Sequence, residues 1–208
     1  MRLGVLLLLA LLTPGLAFAG DVVVTVRTPQ GKPVADAVVT IEAPHSGPIR
    51  FAWPYRMAQH NLQFDPFVLI VPVGADVSFP NLDTVRHHVY SFSPAKRFEL
   101  KLYGRDETRL VRIDKPGVVD LGCNIHDQML AYIVVVDTPY AALTNAAGEA
   151  VISGTPAGAR QLKVWHPFLK AADSQLSVDV SVPAQGETRK TIVTALKPAP
   201  DRMRMRMY

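Results

Sequence analysis

Short runs rich in Val, Ile, Thr and Phe recur along the chain from residue 22 onward, and glycine or proline turn signals separate them. Alternating runs of this kind are typical of half-buried strands, and no convincing helix of ten residues is present. The predicted strands cover residues 22–28, 37–43, 67–73, 75–80, 87–93, 109–113, 131–137, 160–166, 176–182 and 190–196. So many short strands predict an all-β fold made of sandwiches or small barrels.

Residues 1–19 have the three parts of a secretory signal peptide. A charged start precedes the apolar run 3-LGVLLLLALL-12, and 17-AFA-19 offers small residues for cleavage near Ala19-Gly20. A membrane anchor is the alternative, but so short an apolar run does not span a bilayer comfortably. We therefore expect export, most simply to a bacterial periplasm, without stable membrane insertion.

The charge of the chain says little about a partner. The formal net charge is +4, and part of it lies in 202-RMRMRMY-208. Residues 198–208 are predicted to form a flexible basic tail, and a few arginines there are a weak indication of nucleic-acid binding. We expect no nucleic-acid partner, and a monomer or weak oligomer.

Two stretches far apart in the chain resemble one family. The stretch 31-GKPVADAVV-39 resembles the opening of transthyretin-like or carboxypeptidase-regulatory-like β-sandwiches, and 144-TNAAGEAVISGTPAGARQLKVWHP-167 resembles their later strands. Neither piece alone has enough strands to bury a core, so we predict one discontinuous sandwich from residues 20–46 and 138–197. Residues 50–137 would then be a second β-domain inserted in a surface loop, which chain entropy tolerates. One continuous larger sandwich is the alternative.

The single cysteine, Cys123, lies in 121-LGCNIHDQM-129. An unpaired thiol in an exported protein indicates intermolecular pairing or a reactive or metal-bound sulfur, although a lone cysteine is more often a small buried hydrophobic residue. His126 and Met129 follow closely, so thiolate, imidazole and thioether form a soft donor set that suits copper. A trigonal site with two histidines, one cysteine and a weak axial methionine needs one more histidine.

The stretch 85-VRHHVYS-91 offers two candidates for that histidine, His87 and His88. In a strand, Val85, His87 and Val89 share one face, while His88 and its alternate neighbours share the other. Because the apolar face is expected to point inward, the pattern favours His87 as the ligand. His88 remains the alternative at this stage.

The middle of the chain, about residues 57–137, resembles the cupredoxins, the family of plastocyanin, pseudoazurin and amicyanin. The resemblance lies in 64-FDPFVLIVPVGADVSFPNLD-83, 87-HHV-89 and 123-CNIHDQM-129, whose Cys-x2-His-x2-Met spacing is the short-loop form. The whole chain further resembles bacterial proteins labelled methylamine-utilisation or plastocyanin-like. The resemblance implies a Greek-key β-sandwich that holds one type 1 (blue) copper ion. The implied metal ligands are His87, Cys123, His126 and Met129.

The resemblance also implies a function. A type 1 copper protein carries single electrons between redox partners such as a dehydrogenase and a cytochrome c, and it is not an enzyme. The alternative is a periplasmic copper carrier or chaperone without electron traffic. A thiol enzyme with Cys123 as nucleophile and His126 as base is a further alternative, but no oxyanion hole or orienting third group is evident.

Overall fold

The computed structural model describes residues 18–199, and the regular secondary structure of this part of the chain is almost entirely β-strand. The fold class predicted from the sequence, all-β with a Greek-key β-sandwich, is confirmed. One 3-10 turn, Ala172–Ser174, interrupts the strands. The strands are β1 Ala19–Arg27, β2 Val38–Glu42, β3 Ala58–His60, β4 Gln63–Asp65, β5 Val68–Pro72, β6 Ala75–Pro80, β7 His87–Phe92, β8 Arg97–Tyr103, β9 Thr108–Ile113, β10 Gly117–Cys123, β11 Leu130–Val136, β12 Ala141–Leu143, β13 Glu149–Pro156, β14 Gly158–Trp165, β15 Gln175–Val182 and β16 Glu187–Val193.

Two predictions concern segments that are mostly not described. Residues 1–17 of the proposed signal peptide and residues 200–208 of the proposed basic tail lie outside the described range. Within residues 18–199, no helix is long and apolar enough to cross a bilayer.

Strands from the two ends of the chain share two sheets. One sheet has the order β13-β1-β16, in which β1 pairs antiparallel with β13 and parallel with β16. The other has the order β12-β2-β14-β15. Their facing sides bury one apolar core, with members such as Val24, Ile41 and Leu162. The proposed domain boundaries and the transthyretin-like character of this sandwich remain predictions.

Strands from the middle of the chain form the other sheets. A five-stranded sheet has the order β5-β11-β10-β7-β8, and β6 pairs with β9 while β3 pairs with β4. A second core lies among these strands, and it includes Phe79, Val89, Leu121 and Ile133. Cys123 and Met129 belong to the same core.

A third apolar cluster joins the two groups of sheets, and it explains why β5 and β11 are apolar on both faces. Ile133 and Val135 of β11 face the core of the middle strands, whereas Val134 and Val136 face β2 and β14. Trp165 of β14 lies in this joining cluster. A strand covered on both sides reads as a continuous apolar run rather than an alternating one.

Six strands were missing from the sequence prediction: β3, β4, β8, β10, β12 and β13. The strand β8 alternates charged and half-buried residues and lies at the edge of its sheet, so it has no strong apolar signal. The strand β10 begins at Gly117 directly after Pro116, and a Pro-Gly pair is a turn signal rather than a strand signal. This omission matters because β10 ends at Cys123.

Candidate metal centre

The strand β7 places His87 inside the sandwich. The strand begins at this residue, and alternate positions His87, Val89 and Ser91 are fully buried. Val85 was expected to share this inward face, and that expectation is wrong. Val85 precedes the strand and is 41% exposed, so the period of two begins only where backbone pairing begins.

The strand β10 and the turn after it place the other donors. Cys123 is the last residue of β10 and is paired in register with Val89 of β7. The N–H of Asn124 donates to the carbonyl of His88 at 3.0 Å, so backbone atoms tie the turn after β10 to β7. The N–H of Met129 donates to the carbonyl of His126 at 2.9 Å, which folds the loop back into β11.

Three donor atoms converge although they come from two distant segments. The Sγ atom of Cys123 lies 3.8 Å from Nδ1 of His87 and 3.6 Å from Nδ1 of His126. One ligand atom from each of the three residues falls within 4.8 Å of the other two. The two imidazole rings lie with their centroids 5.0 Å apart.

These separations fit a single metal ion among the three donors. Metal–nitrogen bonds of about 2.0 Å and metal–sulfur bonds of about 2.3 Å are usual for borderline-soft ions. A trigonal angle of about 120° between two such bonds puts nitrogen and sulfur about 3.7 Å apart. The observed 3.6 and 3.8 Å bracket that value. Two imidazoles and one sulfur are donors that zinc and copper both accept.

Met129 shares a core with Cys123. It is 2% exposed, and both residues belong to the same apolar cluster. Both also line one cavity of about 480 Å³. The role of Met129 as an axial ligand remains a prediction.

His88 points away from the three donors. Its Nε2 atom lies 2.8 Å from Oε1 of Glu99 on the neighbouring strand β8. The alternation argument therefore chose the histidine that the structure brings to Cys123. Among residues 18–199, the cluster of metal-ligating histidine, cysteine and acidic residues consists of His87, Cys123 and His126.

Sequence reasoning missed the partner of His87. The ring Nε2–H of His87 donates to Oδ2 of Asp83 at 2.8 Å, and these side chains are 0% and 10% exposed. Asp83 also shapes the turn before β7, because its N–H donates to Oδ1 of Asn81. The sequence signal for the further role was an aspartate four residues before a buried histidine.

The electrostatics of this pair keep the ring available as a ligand. Burial lowers the pKa of His87, although the Asp83 carboxylate acts in the opposite direction. Partial burial alone would raise the pKa of Asp83, but hydrogen bonds from the Leu62 N–H, the His87 ring and the Asn61 N–H outweigh it and hold that pKa below its usual range. A neutral His87 with its proton on Nε2 leaves the Nδ1 lone pair directed toward Cys123.

No protein-family model matches the chain, and no curated protein matches it. Several solved structures are similar to part of the chain. The purple cupredoxin from Nitrosopumilus maritimus is 19% identical with a TM-score of 0.36, and the match covers 39% of this chain and 98% of that one. A reduced amicyanin variant is 20% identical with a TM-score of 0.37, covering 47% and 98% of the two chains.

A copper-containing nitrite reductase from Thermus scotoductus SA-01 is also similar. It is 26% identical with a TM-score of 0.39, and the match covers 56% of this chain and 28% of that one. The transthyretin-like resemblance finds no support in these neighbours. At such TM-scores the likeness assigns no function, which depends on the donor atoms of this chain.

Proposed function

We propose that this protein is an exported type 1 (blue) copper protein that carries single electrons between redox partners. The convergence of Cys123, His87 and His126 on one point is the observation that supports it most strongly. Thiolate and imidazole together suit an ion that alternates between a soft and a borderline oxidation state. A bound copper ion supplies that one-electron change.

Each side chain has a distinct part in the proposed site. Cys123 provides the thiolate, which a bound cation keeps deprotonated. His87 and His126 would provide neutral imidazole nitrogens, and Met129 would provide a weak thioether donor. Because these groups project from strand ends and from a short loop closed by backbone hydrogen bonds, they are held in one geometry through the redox change.

The surface around His126 is the proposed docking site for a redox partner, such as a dehydrogenase or a cytochrome c. His126 is half-buried, while Asn124, Ile125 and Asp127 are exposed and Gln128 is partly so. Such a mixed surface fits the small, transient interfaces of electron-transfer partners. The monomeric or weakly oligomeric state is part of the same proposal.

We do not propose an enzyme. The proposed set of four protein donors would leave no open position at the metal for a substrate, and catalytic metal sites keep such a position. A copper carrier is the competing function, and it differs in a measurable way because delivery of the ion requires labile coordination.

Titration of the purified protein with Cu²⁺ tests the proposal. We expect an intense thiolate-to-copper band in the red, with small hyperfine splitting in electron spin resonance, and both should disappear in Cys123→Ser. Asn124→Ser is the matched control in the adjacent loop position and should keep the band. A colourless cuprous complex that exchanges freely with chelators would favour the carrier, and a Cys123→Ser variant with unchanged metal binding would contradict the blue-copper proposal.

Export to the periplasm is a separate proposal with its own test. Expression of the full chain in a bacterium, followed by fractionation and intact-mass measurement, should give a periplasmic product shortened near Ala19-Gly20. A full-length product retained in the cytoplasm would contradict it.

A further inference from the structure

Hydrogen bonds fix both carboxylate oxygens and the backbone N–H of Asp83. Its Oδ1 accepts the N–H of Asn61 at 2.6 Å, and its Oδ2 accepts the N–H of Leu62 at 3.0 Å. Its own N–H donates to Oδ1 of the fully buried Asn81. The carboxylate therefore has a fixed position before any metal binds.

The donors to Asp83 come from the tip of the β3–β4 hairpin. Asn61 and Leu62 form the two-residue loop and have φ angles of +54° and +55°. This is the left-handed geometry of a type I′ hairpin turn, which is uncommon for a leucine. The turn directs two adjacent N–H groups at one carboxylate, so the Asp83 anion compensates for an unfavourable backbone conformation.

The same carboxylate is in contact with a ligand ring. Oδ2 of Asp83 accepts the Nε2–H of His87 at 2.8 Å, on the side of the ring opposite to Nδ1, which faces Cys123. A carboxylate that accepts the outer N–H of a ligand histidine fixes the ring's tautomer and makes the ligand nitrogen more basic. A more basic donor and a nearby negative charge both favour the ion of higher charge.

We propose that Asp83 is a positioning residue of the metal centre: it keeps the proton of His87 on Nε2, and its charge stabilises the cupric over the cuprous state. Only the stabilisation of the cupric over the cuprous state rests on the proposed function. The tautomer and the affinity for a redox-inactive ion depend on Asp83 whether or not the protein carries electrons.

Asp83→Asn tests the proposal because it removes the charge with little change in shape. We expect the affinity for Zn²⁺ and for Cu²⁺ to fall about ten- to a hundredfold. The affinity for Cu⁺ should fall less, so the reduction potential should rise. Nitrogen NMR of the metal-free protein should show the proton of His87 on Nε2 in the wild type and a mixed population in the variant.

Asp106→Asn is the matched control. Asp106 is an exposed carboxylate in the loop beside Asn81, with a side chain 84% accessible, and its φ of +62° suits asparagine equally well. The control removes the same charge and should change neither the His87 tautomer nor the metal affinities more than about twofold. An equal shift in reduction potential in both variants would mean that the loss of any nearby negative charge has the same effect. That result would overturn the proposal.

Other results separate the two proposals. A wild-type nitrogen NMR spectrum with the His87 proton on Nδ1 rejects the role of Asp83. This measurement uses only the wild type, so it remains decisive if Asp83→Asn does not fold. Unchanged Zn²⁺ and Cu²⁺ affinities in a folded Asp83→Asn reject it as well. A wild-type copper complex without a thiolate band rejects the proposed function, while the zinc affinities and the nitrogen spectrum still decide the part of Asp83.

Discussion

The Nδ1 atom of His87 lies 3.8 Å from the Sγ atom of Cys123, although the two residues are 36 positions apart in the chain. Antiparallel pairing of β7 with β10 causes this approach, since Val89 and Cys123 are opposite each other in the register. The position of the sulfur therefore depends on the register of two strands rather than on the local Cys-His-Met spacing.

Replacing each of the two adjacent histidines should have opposite results. His87→Ala removes a donor beside Cys123 and should lower the Cu²⁺ affinity by more than the roughly hundredfold upper range seen for residues that only support a ligand. His88→Ala breaks the pair with Glu99 on β8 and should leave the visible band in place. Competition titration with a chelator measures both, and loss of the band in His88→Ala alone would reverse the assignment of the ligand.

Gly122 should not tolerate a methyl group while Tyr90 is present. A Cβ atom at Gly122 would lie 2.7 Å from Cζ of Tyr90, so Gly122→Ala should cost about 1–3 kcal/mol of the free energy of unfolding through overpacking. In the background of Tyr90→Ala the same substitution should cost less than about 0.5 kcal/mol, because the ring is gone. Urea unfolding of the four proteins measures the cycle, and fully additive effects would show that the ring does not occupy that space.

Trp165 should couple the two groups of sheets. It is 7% exposed in the cluster that joins β14 to β5 and β11, and its ring meets Tyr132 edge-on with centroids 5.6 Å apart. Trp165→Ala should therefore cost about 3–5 kcal/mol. Val193→Ala, at a position 61% exposed, should cost less than about 0.5 kcal/mol. Calorimetry should show one transition in the wild type and two in Trp165→Ala if this cluster is what makes unfolding cooperative.

His166 should make stability depend on pH. Burial lowers its pKa to about 4, and its Nδ1 accepts the N–H of Phe168. Between pH 6.5 and pH 4 the unfolded chain binds a proton that the folded protein does not. Stability is therefore lost as the pH falls through this window, by up to about 3 kcal/mol from this residue.

His166→Asn isolates that effect, because asparagine keeps an acceptor for the Phe168 N–H but does not titrate. As the pH is lowered from 7 to 4, the wild type should lose unfolding free energy that the variant does not lose. Any stability advantage of the wild type at pH 7 should therefore shrink, or the variant should become the more stable protein. Parallel curves for the two proteins over that range would show that His166 titrates normally in the folded state.

The residues that the sequence identified belong to local patterns. The apolar runs 67–73 and 131–137 predicted β5 and β11 because both faces of each strand are covered, and strand alternation selected His87 over His88. The local pattern missed strands that are exposed to solvent or that begin at a turn signal. Lys101 and Leu102 of β8 are exposed at a sheet edge, and Gly117 begins β10 after a proline.

The sequence by itself determined the all-β class and predicted the donor types and the histidine most suited to face inward, because periodicity and side-chain chemistry are local properties. Only the tertiary structure decided that the sulfur and two imidazoles meet within bonding range of one ion, and that Asp83 lies behind His87. The first depends on the register of β7 and β10, and the second on the β3–β4 hairpin tip that holds the Asp83 carboxylate. Such contacts between distant segments follow from the packing of the whole chain rather than from any short stretch of it.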